Sequence, residues 1–181
     1  MPSLKTIKSS FVDKADNSLR FVQNLNDAMN TQRITFKNTE ISFIYEVSFI
    51  KIFTAWEKFL EDTFIGYLEG RFTKALKPKL ITKRMNGERA YALLKGTKQY
   101  PDWTKVEEVL TLASLLFTSF NPYDQVLRAT NRDLTQMKVI RNSITHISKS
   151  SADAFRKLIR SELSSYNIDM NPGEFLTQNR T

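Results

Sequence analysis

Hydrophobic residues recur at spacings of three and four along most of the chain, which is the period of an amphipathic α-helix. The first such run begins near Leu4 and continues to about Met29. A second run begins at a cap at Asn38 or Thr39 and continues to Gly70, a residue type that often ends helices. Its apolar residues cover more than one face, which is typical of a helix in the middle of a bundle or one shared with a subunit interface.

The rest of the chain predicts shorter helices separated by turn residues. No segment has the alternating pattern of a strand, so the expected fold class is an all-α bundle. Residues 167–181 read as a polar tail with one apolar pair. The expected helices are one over 88–95, one from a capping box at Thr104 and Glu107 to residue 117, a stretch from Asn121-Pro122 to residue 147 with a break near Ala129, and a last helix capped by Ser150 and Asp153 to residue 166.

Length and composition indicate one globular domain over 1–181, since 181 residues with 41% hydrophobic and 25% charged side chains can form a sizeable core. The chain has no cysteine, which excludes disulfides, thiolate zinc sites and a cysteine nucleophile. One histidine cannot build a histidine-rich metal site within one chain, and we expect neither metal nor cofactor. The alternative is a magnesium site formed by the carboxylates Glu57, Glu61 and Asp62, although acidic residues on a helix usually make local pairs. The first ten residues are too polar for a signal peptide and no run is apolar enough to span a membrane, so we expect a cytoplasmic protein.

The net charge of +8 is concentrated in one segment, because residues 71–105 contain ten basic and two acidic side chains. Such a basic insertion, between the second long helix and the later helices, favours a polyanion such as RNA. The alternative is a solvated lysine-rich loop. Aromatic residues Phe72, Tyr91, Tyr100 and Trp103 could stack on bases. The candidate RNA-binding residues are Lys74, Lys77, Lys79, Lys83 and Arg84, with Lys138 from the late helix.

The single histidine lies in the stretch RNSITH, residues 141–146, on the predicted late helix. The buried stripe of that helix is predicted at Leu134, Met137, Ile140 or Arg141, Ile144 and Ile147. Asn142 and His146 lie off the stripe, four residues apart, and are therefore neighbours on one face. Arg141 is about 140° away from His146 around an ideal helix. A long arginine side chain can reach around the helix, or a second subunit can bring another copy.

These three residue types match the needs of RNA cleavage without a metal. That reaction needs a base for the 2′-OH proton, an acid for the 5′ oxygen and a cation for the charged phosphorane. Histidine can fill either proton-transfer role near neutral pH. Arginine can bind the phosphate with two hydrogen bonds and stabilise the transition state. The plain alternative is an ordinary surface histidine near an arginine.

The stretch RNSITH resembles the R-N-x-x-x-H form of the motif that marks HEPN domains. The acidic and aromatic helix over residues 50–70 is similar to the corresponding helix of that family, and NPGEFL, residues 171–176, resembles its RiboL-PSP-HEPN branch. The resemblance spans residues 40–176 and implies a HEPN-type helical bundle. Many HEPN domains are metal-independent endoribonucleases of toxin–antitoxin, abortive-infection and other defence systems.

The resemblance implies that Arg141 and His146 form the catalytic pair and that Asn142 supports them. It also implies a homodimer with the active site at the subunit interface. Glu57 corresponds to an acidic residue that many members keep, and Glu61 and Asp62 are neighbouring alternatives. Products with 2′,3′-cyclic phosphate and 5′-OH ends would follow, and an antitoxin or defence-system partner is expected. Some HEPN toxins carry a tyrosine two residues after the histidine, where a partner nucleotidyltransferase modifies them; here that position is Ser148, so this route of neutralisation is not expected.

Two further hypotheses compete with the endoribonuclease. A non-catalytic HEPN-type dimer that binds RNA or a protein partner would keep the basic segment but have no turnover. A helical DNA-binding protein is the third hypothesis, and it is disfavoured because the chain lacks helix-turn-helix spacing.

Overall fold

The computed structural model describes residues 2–72, 78–96, 102–118, 120–163 and 169–178. Of the described residues 74% are helical and none forms a strand, so the fold class is all-α, as the sequence predicted. A single antiparallel bridge joins Leu80 to Phe117. The helices are α1 (Leu4–Asn30), α2 (Asn38–Leu68), α3 (Gly87–Lys95), α4 (Val106–Leu116), α5 (Asp124–Ala129), α6 (Asn131–Thr145), α7 (Lys149–Glu162) and α8 (Pro172–Thr177).

The contacts within the chain define two compact units. Unit 1 comprises Met1–Val12 and Trp56–Thr135, and unit 2 comprises Asp13–Ala55 and Gln136–Thr181. The expectation of one domain over the whole chain stays a prediction. Among the helices of the described ranges, none combines the length and the apolar character that crossing a membrane requires.

Unit 1 has an aromatic core around Phe64, which has no exposed surface. The rings of Phe64 and Tyr123 stack with centroids 4.1 Å apart and nearly parallel planes. The Tyr123 hydroxyl donates to Thr63 Oγ1 at 2.9 Å, which satisfies the one polar group of that buried ring. Burial raises the pKa of Tyr123 well above its ordinary value, since the phenolate would be desolvated.

The described part of the basic segment contributes to this core. Asn86 caps α3 by accepting from the Arg89 backbone N–H at 3.0 Å, and Ala90 and Leu94 are buried against the aromatic cluster. Backbone bonds from Ile81 to Leu116 and from Thr118 to Lys79 fix the stretch before α3. The described part is therefore packed structure, unlike the solvated loop of the alternative hypothesis.

Unit 2 has a separate core in which α6, α7 and α8 meet. Ile140, Phe155 and Ile159 are buried there together with Phe175, whose exposed fraction is 1%. The tail prediction is corrected here, because residues 172–177 form α8 and Phe175 is a core residue rather than part of a polar tail.

The predicted cap of α2 at Asn38 or Thr39 is wrong, because the helix already begins at Asn38 and the Ile41 N–H donates to the Lys37 carbonyl.

Two further predicted helix caps are wrong. Thr104 does not cap α4, because its backbone N–H and hydroxyl both donate to the Asp102 carboxylate, and the helix begins at Val106. Ser150 does not cap α7, since Ser148 adopts the extended conformation of a cap two residues earlier. In both cases a nearby side chain provided a competing hydrogen bond that periodicity alone does not indicate.

Candidate functional site

The RNSITH stretch lies at the C-terminal end of α6. The helix ends at Thr145, and the His146 backbone N–H still donates to the Asn142 carbonyl at 2.9 Å. The Ser148 N–H turns back to the His146 carbonyl at 3.0 Å. This short turn leads directly into α7 and leaves the imidazole of His146 exposed at the helix end.

Arg141, Asn142 and His146 are brought together within one chain. Nη1 of Arg141 lies 3.1 Å from Asn142 Oδ1 and also 3.1 Å from His146 Nε2. Arg141 and Asn142 are half-buried, whereas His146 is exposed. The long arginine side chain therefore reaches around the helix to the histidine. A second subunit is not needed to join the guanidinium to the imidazole.

The helix turn that carries these residues packs against the core of unit 2. Ile140, with 5% of its surface exposed, packs into the core of unit 2, and Ile144 packs at its edge. The Thr145 hydroxyl donates to the Arg141 carbonyl at 2.9 Å, which ties the last turn of the helix. Of the two positions that the sequence left open for the buried stripe, Ile140 is the buried one and Arg141 lies at its margin.

The prediction for Ile147 is wrong. The sequence placed it on the buried stripe, but its side chain is fully exposed. The helical period no longer applies after Thr145, because the chain leaves the helix there and Ile147 follows the turn outward. An apolar side chain thus stands in solvent next to the histidine.

Ser148, two residues after the histidine, has a structural role. Its Oγ accepts from the Ser151 backbone N–H at 3.2 Å and so caps α7. A short hydroxyl-bearing side chain suits this position because it reaches a backbone donor of the first turn.

Glu57 is not in the unit that holds the motif. It is half-buried on α2 within unit 1. Its neighbours Glu61 and Asp62 both pair with Lys58, at 2.9 Å and 2.8 Å. Those two carboxylates have a local structural explanation, and the catalytic assignment of Glu57 stays a prediction.

The predicted RNA-binding residues are divided between the two units. Lys79, Lys83 and Arg84 are exposed in unit 1, whereas Lys138 is half-buried on α6 in unit 2, four residues before Asn142. Lys74 and Lys77 lie outside the described residues. Both Lys79 and Lys83 are exposed, and no ion pair joins either of them to another residue within the described ranges.

Other cations of the basic segment are occupied. Arg71 pairs with Glu69 and donates to the Pro2 carbonyl, and Lys105 pairs with Glu108 at 2.6 Å. The hydrogen bond and the charge of Glu108 raise the pKa of Lys105. The guanidinium carbon of Arg84 lies 5.5 Å from the centroid of the Phe72 ring, in the geometry of a cation–π contact.

The aromatic residues expected to stack on bases are largely committed to the fold. Trp103 has 6% of its surface exposed, so the stacking role expected of it is wrong. Phe72 packs against the core of unit 1 under Arg84, and Tyr91 is half-buried. Tyr100 lies outside the described residues.

No group of three or more His, Asp or Glu side chains in the described ranges is placed to hold a metal ion.

The sequence interpretation missed α8 as the support of the motif. The signal was present in the order Asn171, Pro172, Gly173, Glu174, which is a cap, a proline at the first helical position and a capping-box glutamate.

Comparison of the chain with protein-family models, with curated proteins and with solved structures found no match.

Proposed function

We propose that this protein is a metal-independent endoribonuclease that cleaves RNA to 2′,3′-cyclic phosphate and 5′-OH ends. The observation that carries the proposal is the contact of Arg141 with both Asn142 and His146 at an exposed helix end. A cation that binds phosphate and a group that transfers protons lie within one hydrogen bond of each other. Cleavage by the 2′-OH needs both of these groups and, in addition, an acid for the 5′ oxygen.

The residues have separate roles in this reaction. His146 takes the proton from the 2′-OH, the 2′ oxygen bonds to phosphorus, and the bond from phosphorus to the 5′ oxygen breaks. Arg141 binds the non-bridging oxygens, where negative charge develops. Asn142 holds the guanidinium by accepting from Nη1.

A homodimer supplies the second proton-transfer group. Each chain has one histidine, and the 5′ oxygen needs an acid as well as a base. Two copies that face one cleft provide two His146 side chains for the two roles. The dimer is therefore required for the second histidine rather than for the arginine.

RNA backbone binding involves the exposed cations of unit 1 in this proposal. Lys79 and Lys83 stand on a stretch that backbone hydrogen bonds fix. Replacing both with Glu should weaken RNA binding and flatten its dependence on salt, because fewer counterions are released. Replacement of Lys105, whose charge is paired, is the matched control with a smaller effect on the salt slope. Equal slopes for wild type and the double variant would contradict this part.

The biological setting rests on the resemblance of RNSITH, of the helix over residues 50–70 and of NPGEFL to HEPN domains. On the basis of that resemblance, the activity belongs to a toxin–antitoxin or antiviral-defence system with an antitoxin or sensing partner. Ser148, which caps α7, argues against neutralisation through a tyrosine at that position.

An RNA cleavage assay in EDTA tests the proposal. Wild type and His146→Ala are incubated with total RNA and with a tRNA pool, and the ends of the products are identified. The proposal expects wild-type cleavage to cyclic phosphate ends and none by the variant. Ser150→Ala, an exposed change in the neighbouring helix, is the control and should cleave as wild type does. Equal cleavage by His146→Ala would refute the assignment.

A second candidate is a non-catalytic binding module, which one surface of unit 2 favours. Phe21 on α1 and Phe43 on α2 expose 57% and 65% of their surfaces beside a groove of about 420 Å³. Exposed aromatic side chains are typical of protein-binding surfaces. RNA binding without cleavage, in EDTA and in magnesium, would favour this candidate over the nuclease.

A further inference from the structure

The contact between Arg141 and His146 determines where the histidine ring carries its proton. A guanidinium group has only donors and remains charged in proteins. Nη1 of Arg141 lies 3.1 Å from Nε2 of His146, so the arginine donates and Nε2 accepts through its lone pair. A neutral ring in this arrangement carries its proton on Nδ1, since one nitrogen donates and the other accepts.

The same contact covers the lone pair that the reaction needs. With a proton on Nδ1, Nε2 is the only ring nitrogen that can accept another. Arg141 occupies that nitrogen in the structure, so His146 cannot take the 2′-OH proton while the contact persists. Arg141 and His146 are thus in contact, but His146 cannot act as a base in this arrangement.

A phosphodiester can release the contact. An anionic phosphate binds a guanidinium with two charge-assisted hydrogen bonds, which are shorter and stronger than a bond to a neutral acceptor. Asn142 accepts from the same Nη1 at 3.1 Å, so the guanidinium keeps one partner while it exchanges the other. Arg141 is half-buried and His146 is exposed, so a ligand from solvent can reach the contact between them.

We propose that a phosphodiester draws the Arg141 guanidinium from His146 Nε2 and thereby frees the lone pair that accepts the 2′-OH proton. This inference rests on the proposed ribonuclease function and adds substrate control of its base. The proton then moves from the 2′-OH to Nε2, the 2′ oxygen bonds to phosphorus, and the 5′ oxygen leaves with a proton from the second histidine of the dimer.

The single histidine makes the proposal directly measurable. In ¹⁵N-labelled protein the two ring nitrogens give unambiguous long-range correlations, which identify the tautomer at the alkaline end of a titration. The probes are a 2′-deoxy oligonucleotide, which has a phosphodiester but no 2′-OH to react, and inorganic phosphate. Arg141→Met removes the guanidinium, and Arg156→Met, an exposed arginine of α7 in the same unit, is the matched control.

We expect a protonated Nδ1 and an unprotonated Nε2 in the free wild type and in Arg156→Met. Arg141→Met should shift the ring toward the Nε2-protonated tautomer that free imidazoles favour in water. The oligonucleotide should shift the Nε2 signal of wild type in the same direction as the Arg141→Met substitution does.

A free wild type with its proton on Nε2, or signals that neither probe changes, overturns the proposal. If Arg141→Met loses its helical circular dichroism, the wild-type spectra with and without probe decide alone. Cleavage by a protein whose free ring is Nε2-protonated refutes the exchange and keeps the nuclease. If the free ring carries its proton on Nδ1 and the oligonucleotide frees Nε2, but the protein cuts no RNA, the nuclease is refuted and the exchange stands.

Discussion

Two short polar stretches of unit 2 contrast in how their side chains are used. In α8, Asn171 Oδ1 accepts from the Glu174 backbone at 2.9 Å, and the Glu174 carboxylate accepts from the Asn171 backbone at 3.0 Å. At the end of α6, the Arg141 side chain instead contacts the side chains of both Asn142 and His146. One stretch satisfies backbone groups of the fold, and the other holds its polar atoms in a cluster at the surface.

The contrast separates residues that support the fold from residues whose arrangement suits chemistry. Every residue from Asn171 to Phe175 has a structural explanation as cap, first helical residue, close backbone contact, capping-box partner or core side chain. The three motif residues cap nothing and fill no core. Their arrangement is therefore the one to test for function, and α8 is the one to test for stability.

His146→Ala should give the largest effect, and on activity alone. Loss of the proton-transfer group should lower the cleavage rate by about 100-fold to 10,000-fold. The free energy of unfolding should stay within about 0.5 kcal/mol of wild type, since the side chain is exposed. Single-turnover cleavage and urea unfolding measure the two quantities. A variant that loses both cleavage and stability would show that His146 also supports the fold.

Phe175→Ala should have the converse effect, because it should lower stability and leave cleavage by the folded protein unchanged. Truncation of this core ring should cost about 3–5 kcal/mol of unfolding free energy. Phe43→Ala is the matched control, because that ring exposes 65% of its surface and its loss should cost little. Equal unfolding midpoints for the two variants would show that α8 does not support unit 2.

Gly173→Ala should destabilise the same support by about 1–3 kcal/mol through overpacking. An added Cβ would lie 2.6 Å from the Ser42 Cα, in backbone that cannot move aside cheaply. Gly66→Ala is the matched control within α2, where the Cβ would approach the flexible tip of Leu4 at 2.9 Å and lie 4.0 Å from the Arg71 side chain, with no backbone atom in the way. That change should be neutral or stabilise by up to about 1 kcal/mol, because alanine favours the helix. Thermal unfolding that lowers both variants equally would contradict the close contact at Gly173.

A pair of asparagine variants gives the smallest and sharpest test. Asn171→Ala should cost about 1 kcal/mol of stability through the lost cap and leave the activity of folded protein unchanged. Asn142→Ala should leave stability nearly unchanged and lower cleavage less than His146→Ala does, because only the hold on Arg141 is lost. Cleavage and unfolding are measured on both, and exchanged outcomes would reverse the assignment of the two stretches.

The sequence predicted what depends on regular periodicity. The long helices and the all-α class are confirmed, because hydrophobic spacing of three and four residues continues through the long helices. The break expected near Ala129 is confirmed as well, since α5 ends at Ala129 and α6 begins at Asn131. The failures lie where a helix ends. Ile147 was read with a period that stops at Thr145, and Ser148 rather than Ser150 caps α7.

The arrangement of the motif was only partly predictable. Spacing placed Asn142 and His146 on one face but left two ways for Arg141 to meet the histidine. The structure selects the route within one chain, because the side chain spans the distance to Nε2. Rotamers and the end of a helix decide such contacts, and neither follows from residue spacing.

Cleavage of an RNA and of a matched strand with 2′-deoxy nucleotides at the cut positions, both in EDTA, tests the central claim most directly. The account predicts that wild type cuts the RNA to cyclic phosphate ends, leaves the substituted positions intact and loses this activity with His146→Ala. Cleavage at the 2′-deoxy positions, or cleavage that survives the loss of His146, would contradict it.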